Sequence, residues 1–597
     1  MKAWQNIFGK NRLAYISLLM VFLMVFSAYI AYQVTTSFGY VTIREIEILG
    51  SKGNHISALL FVPNDATTTS KKPAILASHG YDNQKEFMVN TAIELARRGC
   101  VVLSIDCPGH GFSEGPRNIF DYGSTDALNY LRGLTYVDKN NIGLVGMSMG
   151  GSVISQAATN IPDGYKAMFF MDSIWGLSTA HKNVAIQWGY AEEFSPAGST
   201  VHNSTTIRTY FKVTAPVTPG VVYGNITAGT GRILYVPYID HPWSTHHPES
   251  ITNVVEWFSM TLEGMKPIPK TDLIFTWKQV FTNIGFFAAI AFIITFGGYL
   301  LQTEYFKDLA EPLPEYKGNR GISYWISAAI ITALGPILYS YGWGTLGAIY
   351  SETFLPLLIS NRFMVWMNLV AFVAVLILIL AFFILRRQGM TLNHLGLKID
   401  VKRLLKTLLL ASLIIAPVYI VVTYCYALLG CTTLQLEGWL FIQAPLRPLD
   451  STRASYVPIY LPLFLSLNLV FGVVFAGFMR PKDGKISLAK EMIINSIILA
   501  LGPTIYLLAY YWPIFQGVPN YNLLPNIEPW GGWGGWNMNP SSLGLIYFVP
   551  VPAFNVITAC IITYFNRKTG KVWLGVLLAT IFLAWYHTAF NCFETRL

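Results

Sequence analysis

The stretch "GLVGMSMGGS", residues 143–152, has the features of a sharp turn between a β-strand and an α-helix. The apolar residues before it are typical of a buried strand, and helical spacing begins after Ser148. Within the stretch, residues 146–150 fit the pattern G-x-S-x-G, whose glycines let the backbone reverse without Cβ clashes. Such a turn places the serine Oγ at the end of the sheet, beside a helix N-terminus that favours negative charge. Ser148 is therefore a candidate nucleophile.

The segments around this turn alternate between strand-like and helix-like patterns. Apolar runs of strand length predict buried parallel strands over residues 73–80, 100–106, 141–148 and 166–172. Alternating segments predict an antiparallel start over residues 40–49 and 55–63, and the last strand is predicted over 231–240. Because helical patterns separate the strands, we expect an α/β domain with a mostly parallel sheet and helices on both faces.

A second motif, His79-Gly80-Tyr81, closes the predicted strand about 70 residues before Ser148. With "SIDCPGHGFSEG" at residues 104–115, it makes the chain resemble the α/β-hydrolase superfamily of lipases, esterases and peptidases. The resemblance covers roughly residues 40–265. It implies that the backbone amides of Tyr81 and Met149 form an oxyanion hole, which would stabilise a tetrahedral intermediate.

The same resemblance implies a triad in the chain order serine, acid, histidine. His241 directly follows the last predicted strand, where the superfamily has its base. Pro248 predicts the start of the next helix, so His246 and His247 lie at the helix entrance and are expected to be loop residues. We expect no metal at this histidine cluster, because neither the histidine spacing nor spare carboxylates specify a ligand set. No cofactor is expected.

The acid departs from the usual superfamily pattern, which places it after the strand that precedes the last one. Residues 194–239 contain no carboxylate. Asp172, at the end of a predicted strand, is the expected acid. Glu192 or Glu193 is the alternative, and a dyad assisted by Asp240 or water also stays open.

The rest of the chain has the composition of a membrane protein, with 53% hydrophobic and 12% charged residues. Charge-free stretches long enough to cross a bilayer predict nine membrane helices, one at the N-terminus and eight after about residue 277. The predicted domains are an anchor at 1–39, an extracytoplasmic hydrolase domain at 40–275 and an all-α transmembrane bundle at 276–597. We expect the first helix to be an uncleaved anchor.

Lysine and arginine in the short loops indicate the orientation. With a cytoplasmic N-terminus, the inner loops hold most of these residues, and the outer segments after the hydrolase domain hold only Arg362, Arg447, Arg453 and Arg596. The net charge of +9 reflects this bias, so no nucleic-acid partner is predicted. The expected location is the cell membrane, with the hydrolase domain outside. Two sequons, at Asn203 and Asn225, fall in that domain and predict a glycoprotein.

These patterns predict a serine hydrolase that cleaves an ester, thioester or amide, with membrane lipids as partners and a lipid or acylated substrate. Trp530, Trp533 and Trp536, in a predicted outer loop, are expected to contact lipid or substrate. A membrane peptidase or amidase is the first alternative. A transporter, receptor or assembly factor with a non-catalytic hydrolase-like domain is the second. The pattern specifies no oligomeric state.

Overall fold

The fold is seen in a computed structural model, which describes residues 2–115, 120–194, 196–346, 355–357, 360–429, 435–438, 441–481, 486–518 and 540–590. Its centre is an eight-stranded sheet. In chain order the strands are β1 (Val41–Leu49), β2 (His55–Pro63), β3 (Lys72–Ser78), β4 (Val101–Ile105), β5 (Val137–Met147), β6 (Ala167–Met171), β7 (Val184–Gln187) and β8 (Arg232–Tyr235). A separate two-stranded sheet consists of β9 (Gln435–Gly438) and β10 (Phe441–Pro445).

The strands of the large sheet lie in the order β1-β2-β4-β3-β5-β6-β7-β8. The pairs β1–β2 and β2–β4 are antiparallel, and the other five pairs are parallel. The predicted antiparallel start and mostly parallel sheet are thus confirmed. Strand β7 falls outside the predicted strands, because a strand of four residues with only three apolar ones is too short to stand out from its surroundings.

The helices are α1 (Lys2–Thr35), α2 (Val89–Arg97), α3 (Ser124–Gly133), α4 (Met149–Asn160), α5 (Thr205–Phe211), α6 (Pro248–Thr261), α7 (Phe275–Leu300), α8 (Ile322–Ser340), α9 (Ser360–Arg386), α10 (Val401–Leu429), α11 (Ser451–Val473), α12 (Leu488–Phe515), α13 (Pro540–Phe548), α14 (Val551–Thr569) and α15 (Trp573–Phe590). Helices α2 and α6 cover one face of the large sheet, and α3, α4 and α5 cover the other.

Strand β6 shows why both faces are covered. Successive side chains of a strand point to opposite faces, and here Met168 and Phe170 pack on the side of α4 whereas Phe169 and Met171 pack on the side of α6. All four are fully buried. Burying each such side chain contributes about 1.5–3 kcal/mol, so the strand is stable only between two helical layers.

Within the described residues, eight helices are long and apolar enough to cross a membrane. They are Asn11–Thr35, Phe275–Leu300, Ile322–Trp343, Asn361–Arg386, Val401–Leu429, Ser451–Phe478, Leu488–Phe515 and Gly544–Thr569. Each corresponds to one of the nine predicted spans. The ninth coincides with a shorter apolar helix, Trp573–Ala589, which lies at the lower end of the range of about 17–25 residues that crosses a bilayer core.

Close approaches of small residues hold these helices together, as is usual where apolar surfaces alone give little driving force. Ser17 of α1 donates a hydrogen bond to Thr295 of α7 at 3.1 Å. A Cβ on Gly297 would lie 2.5 Å from the ring of Phe565. Helix α7 therefore packs against both the N-terminal helix and α14.

The topology places the candidate site residues at one edge of the sheet. The chain leaves β3 toward β4 on one side and leaves β5 toward β6 on the other, which opens a crevice at the carboxyl ends of these strands. Tyr81 follows β3, Ser148 follows β5, Asp172 follows β6 and His241 follows β8.

Candidate active site

Ser148 occupies a strained turn between β5 and α4. Its φ of 53° and ψ of −120° are rare for a residue with a Cβ, and such strain persists where the surrounding structure enforces it. The backbone N–H donates to the carbonyl of Met171 at 2.9 Å, which ties the turn to the end of β6. The residue is 8% exposed. The serine is thus presented at the carboxyl end of the sheet by a fixed backbone.

Two glycines make this turn possible by allowing close backbone contacts. A Cβ on Gly146 would lie 2.1 Å from the carbonyl oxygen of Gly150. A Cβ on Gly150 would lie 2.4 Å from the carbonyl oxygen of Ser78, at the end of β3. Neither obstacle is a flexible side chain, so both positions require glycine.

The segment His79-Gly80-Tyr81 lies directly beside the nucleophile. A Cβ on Gly80 would approach the Cβ of Ser148 to 3.1 Å. The ring of His79 is fully buried, and its Nε2 accepts a hydrogen bond from the amide of Cys107 at 3.0 Å. This hydrogen bond joins the loop after β3 to the loop after β4, so His79 has a structural role. Tyr81, one of the two predicted oxyanion residues, lies in the loop after β3. Met149, the other, is the first residue of α4 and directly follows Ser148.

His241 lies in the loop after β8, in a largely apolar environment. Its ring is 4.7 Å from that of Phe194 and 6.5 Å from that of Trp175, measured between centroids. Burial lowers the pKa of His241 to about 4, although Asp172 and Asp240 act to raise it. The imidazole is consequently neutral at pH 7 and able to accept a proton.

Glu192 is the carboxylate in contact with this imidazole. Its Oε1 lies 2.8 Å from His241 Nδ1, and both side chains are buried. Burial is also the main cause that raises the pKa of Glu192 above its ordinary value. Glu192 follows β7, the strand next to the last one. This is the superfamily's usual place for the acid, which the sequence conceals because β7 is not recognisable in it.

Asp172 lies in the same buried cluster but is held by a backbone amide. Its φ is 43°, and its Oδ1 accepts a hydrogen bond from the amide of Gly189 at 2.6 Å. Burial, followed by the charge of Glu192, raises the pKa of Asp172 well above its ordinary value. Asp172 therefore connects the end of β6 to the loop that carries Glu192.

The other two histidines of the loop after β8 have structural contacts. His246 Nδ1 lies 2.9 Å from the hydroxyl of Thr245, and its ring packs edge-on against Phe87 at 5.4 Å. His247 is the N-cap of α6, where Nδ1 accepts from the amide of Glu249 at 3.3 Å. In the part of the chain that the structure describes, no three His, Cys, Asp or Glu residues are grouped as metal ligands.

Membrane-length helices border the site on two sides. The Tyr511 hydroxyl, from α12, donates to Glu193 at 2.7 Å. The Tyr547 hydroxyl, from the part of α13 that belongs to the membrane-length span Gly544–Thr569, contacts the carboxylate of Asp82 beside Tyr81. Nothing in the sequence pattern identifies these two tyrosines, because their partners are more than 300 positions away. The predicted contact residues Trp530, Trp533 and Trp536 lie outside the described residues.

A comparison with protein families agrees with this fold. Residues 75–294 match the alpha/beta hydrolase family. No curated protein matches the chain significantly. The Pyrococcus furiosus esterase Pf2001 is 13% identical, covering 38% of this chain and 96% of that chain with a TM-score of 0.29. The dienelactone hydrolase from Anabaena variabilis is 15% identical, covering 38% of this chain and all of that chain with a TM-score of 0.28.

The sheet order and the family match show that the chain contains an α/β-hydrolase domain. The family match also supports a hydrolase activity. Across the ranges that the structure describes, eight helices accompany this domain that are long enough to cross a membrane, consistent with a multi-pass membrane protein.

Proposed function

We propose that the protein is a membrane-integrated serine hydrolase that cleaves an ester, thioester or amide bond. The observation that carries the proposal is the buried pair of His241 and Glu192, with 2.8 Å between Nδ1 and Oε1, at the same sheet edge as the strained Ser148 turn. A carboxylate on Nδ1 holds the imidazole with its Nε2 free to act on a serine. Ser148 is the nucleophile, His241 the base and Glu192 the acid, with Asp172 as the alternative acid.

The reaction follows from these roles. His241 Nε2 takes the proton of Ser148 as Oγ attacks the carbonyl carbon, and the amides of Tyr81 and Met149 stabilise the oxyanion. The imidazolium, stabilised by Glu192, then protonates the leaving alcohol, thiol or amine. Water, deprotonated by the same histidine, attacks the acyl-enzyme and releases the acid with regeneration of Ser148.

The substrate class is a lipid or acylated molecule at the outer membrane face. The contacts of Tyr511 and Tyr547 with residues of the site favour this class, because they put the catalytic edge of the sheet against helices of membrane-spanning length. A site for a soluble substrate does not need to lie next to membrane helices. The predicted orientation, with the hydrolase domain outside, assigns the outer face.

Fluorophosphonate labelling of the full chain in detergent tests the nucleophile. We expect labelling of the wild type and its loss in Ser148→Ala and His241→Ala. Ser152→Ala, which removes a hydroxyl one helical turn further along α4, is the matched control and keeps its label. Equal labelling of wild type and Ser148→Ala would overturn the assignment.

Turnover of model substrates tests the substrate class. We expect p-nitrophenyl esters with long acyl chains to be cleaved faster than short ones, and aminoacyl-nitroanilides to be poor substrates. The opposite preference would favour a membrane peptidase or amidase. No turnover of any of them would favour a domain that only binds.

A further inference from the structure

Glu193 connects a membrane-length helix to the main chain of the candidate base. Its Oε1 accepts a hydrogen bond from the Tyr511 hydroxyl of α12 at 2.7 Å, and its Oε2 accepts one from the amide of His241 at 2.9 Å. The neighbouring residue, Glu192, contacts the imidazole of the same histidine. Tyr511 is therefore one side chain away from the backbone that places His241.

A second connection reaches the oxyanion side of the site. The Tyr547 hydroxyl of α13 contacts the carboxylate of Asp82, the residue that follows Tyr81. Asp82 has a φ of 55°, so this backbone is held in an uncommon conformation. Tyr81 packs against the hydrophobic core of the membrane-length helices, and Ile546 of α13 packs into the core beside the sheet.

Other contacts join the two parts of the chain independently of these tyrosines. Tyr238 donates a hydrogen bond to the carbonyl of Phe515 at 2.6 Å, and the two rings lie 5.3 Å apart. Ser199 donates to the carbonyl of Gly517 at 3.0 Å. Arg447 and Glu86 form a buried ion pair at 3.2 Å. Loss of one tyrosine hydroxyl consequently leaves the two parts docked.

We propose that Tyr511 and Tyr547 are positioning residues through which the membrane helices complete the hydrolase site. Tyr511 holds the loop of His241 by way of Glu193, and Tyr547 holds the loop of the oxyanion donor by way of Asp82. The inference rests on the proposed function. It implies that the hydrolase domain reaches full activity only when it packs against the membrane helices of its own chain. Small displacements of catalytic groups lower the reaction rate strongly.

The charges around Glu193 predict that loss of the Tyr511 hydroxyl changes the pH dependence of activity, which a purely structural role would not do. Glu193 faces the carboxylates of Glu192 and Asp240, the amide of His241 and the hydroxyl of Tyr511. Burial and the two carboxylates raise the pKa of Glu193, whereas the two hydrogen bonds lower it. Removing the tyrosine hydroxyl raises this pKa further, so the anion that binds the His241 loop is lost at a higher pH.

The test compares Tyr511→Phe and Tyr547→Phe in the full chain, reconstituted in lipid nanodiscs, with a p-nitrophenyl ester as substrate. We expect each variant to lower kcat by about 10- to 100-fold with little change in KM. In Tyr511→Phe the acidic limb of kcat/KM moves to higher pH. Tyr238→Phe removes another hydroxyl that links the sheet domain to α12 and is the matched control, with wild-type kcat and pH profile.

A double-mutant cycle separates a role through Glu193 from a general loss of stability. We expect Tyr511→Phe to have little further effect on kcat in a Glu193→Gln background, and both single variants to keep the wild-type melting temperature within a few degrees. Wild-type kcat and pH profile in Tyr511→Phe and Tyr547→Phe would overturn the inference alone. A wild type without turnover or labelling would overturn the proposed function and the inference with it.

Discussion

His241 Nδ1 lies 2.8 Å from Glu192 Oε1, and both side chains are buried. Burying two titratable side chains is costly, and such groups with shifted pKa values are common at functional sites. The pair joins the loop after β7 to the loop after β8. Its two groups also have pKa values shifted toward their neutral forms.

The contact predicts that Glu192 matters more to catalysis than Asp172 does. We expect Glu192→Gln to lower kcat by about 10⁴-fold, because the amide no longer stabilises the imidazolium. Asp172→Asn keeps an oxygen that can accept from Gly189 and is expected to lose about tenfold. Steady-state kinetics on a p-nitrophenyl ester measures both. A larger loss in Asp172→Asn would make Asp172 the acid.

The environment of His241 predicts activity that persists into mildly acidic conditions. Burial lowers the pKa of His241 to about 4, compared with about 6.5 for an unperturbed histidine. The base therefore stays deprotonated as the pH falls through 6.5, and protonation of His241 itself is expected to lower kcat/KM only between about pH 4 and 6. An inflection at or above 6.5 that persists in Glu193→Gln and Glu192→Gln would contradict this prediction.

The turn that carries Ser148 predicts a strict requirement for glycine at position 150. A Cβ there would lie 2.4 Å from the carbonyl oxygen of Ser78, so Gly150→Ala displaces either α4 or β3. We expect a loss of about 1–3 kcal/mol in stability and of fluorophosphonate labelling. Gly133→Ala is the control, because a Cβ at that position meets nothing within 4 Å. Full labelling of Gly150→Ala would show that the turn tolerates the extra atom.

Local patterns explain which parts of the fold could be predicted from the sequence. The turn at Ser148 and the strands on either side are encoded by contiguous residues, namely an apolar run, two glycines and a helical segment. Strand β7 has only four residues, and its burial depends on neighbours that are distant in sequence. Because the sequence pattern does not identify β7, it does not show that Glu192 follows the strand before the last one. The pattern therefore favours Asp172, which follows a strand that it does identify.

Contacts across the chain could not be predicted for a different reason. Tyr511 and Tyr547 are ordinary aromatic residues of apolar helices, and their hydroxyls acquire partners only when those helices pack against the sheet domain. The same holds for Arg447, which the sequence pattern indicates only as one of the few positive charges in the predicted outer loops. Hydropathy predicts where membrane helices lie but contains no information on how they dock.

The buried pair of Arg447 and Glu86 predicts how strongly the two parts of the chain depend on each other. Arg447 Nη1 lies 3.2 Å from Glu86 Oε1, its guanidinium stacks on Phe112 at 3.9 Å, and its Nε donates to the carbonyl of Ala589. Removing Arg447 leaves the Glu86 carboxylate buried with the more distant Lys85 ammonium, at 3.9 Å, so Arg447→Met is expected to cost about 3 kcal/mol. Lys182→Met breaks an exposed pair with Asp163 and is the control, with no change expected in melting temperature.

The double variant Arg447→Met, Glu86→Gln distinguishes a buried charge from lost packing. Because it removes both charges together, we expect it to recover most of the stability that Arg447→Met loses. Thermal unfolding of the full chain in detergent, followed by tryptophan fluorescence, measures all variants under the same conditions. If the double variant is no more stable than Arg447→Met, the arginine acts through its stacking on Phe112 and its hydrogen bonds rather than through its charge.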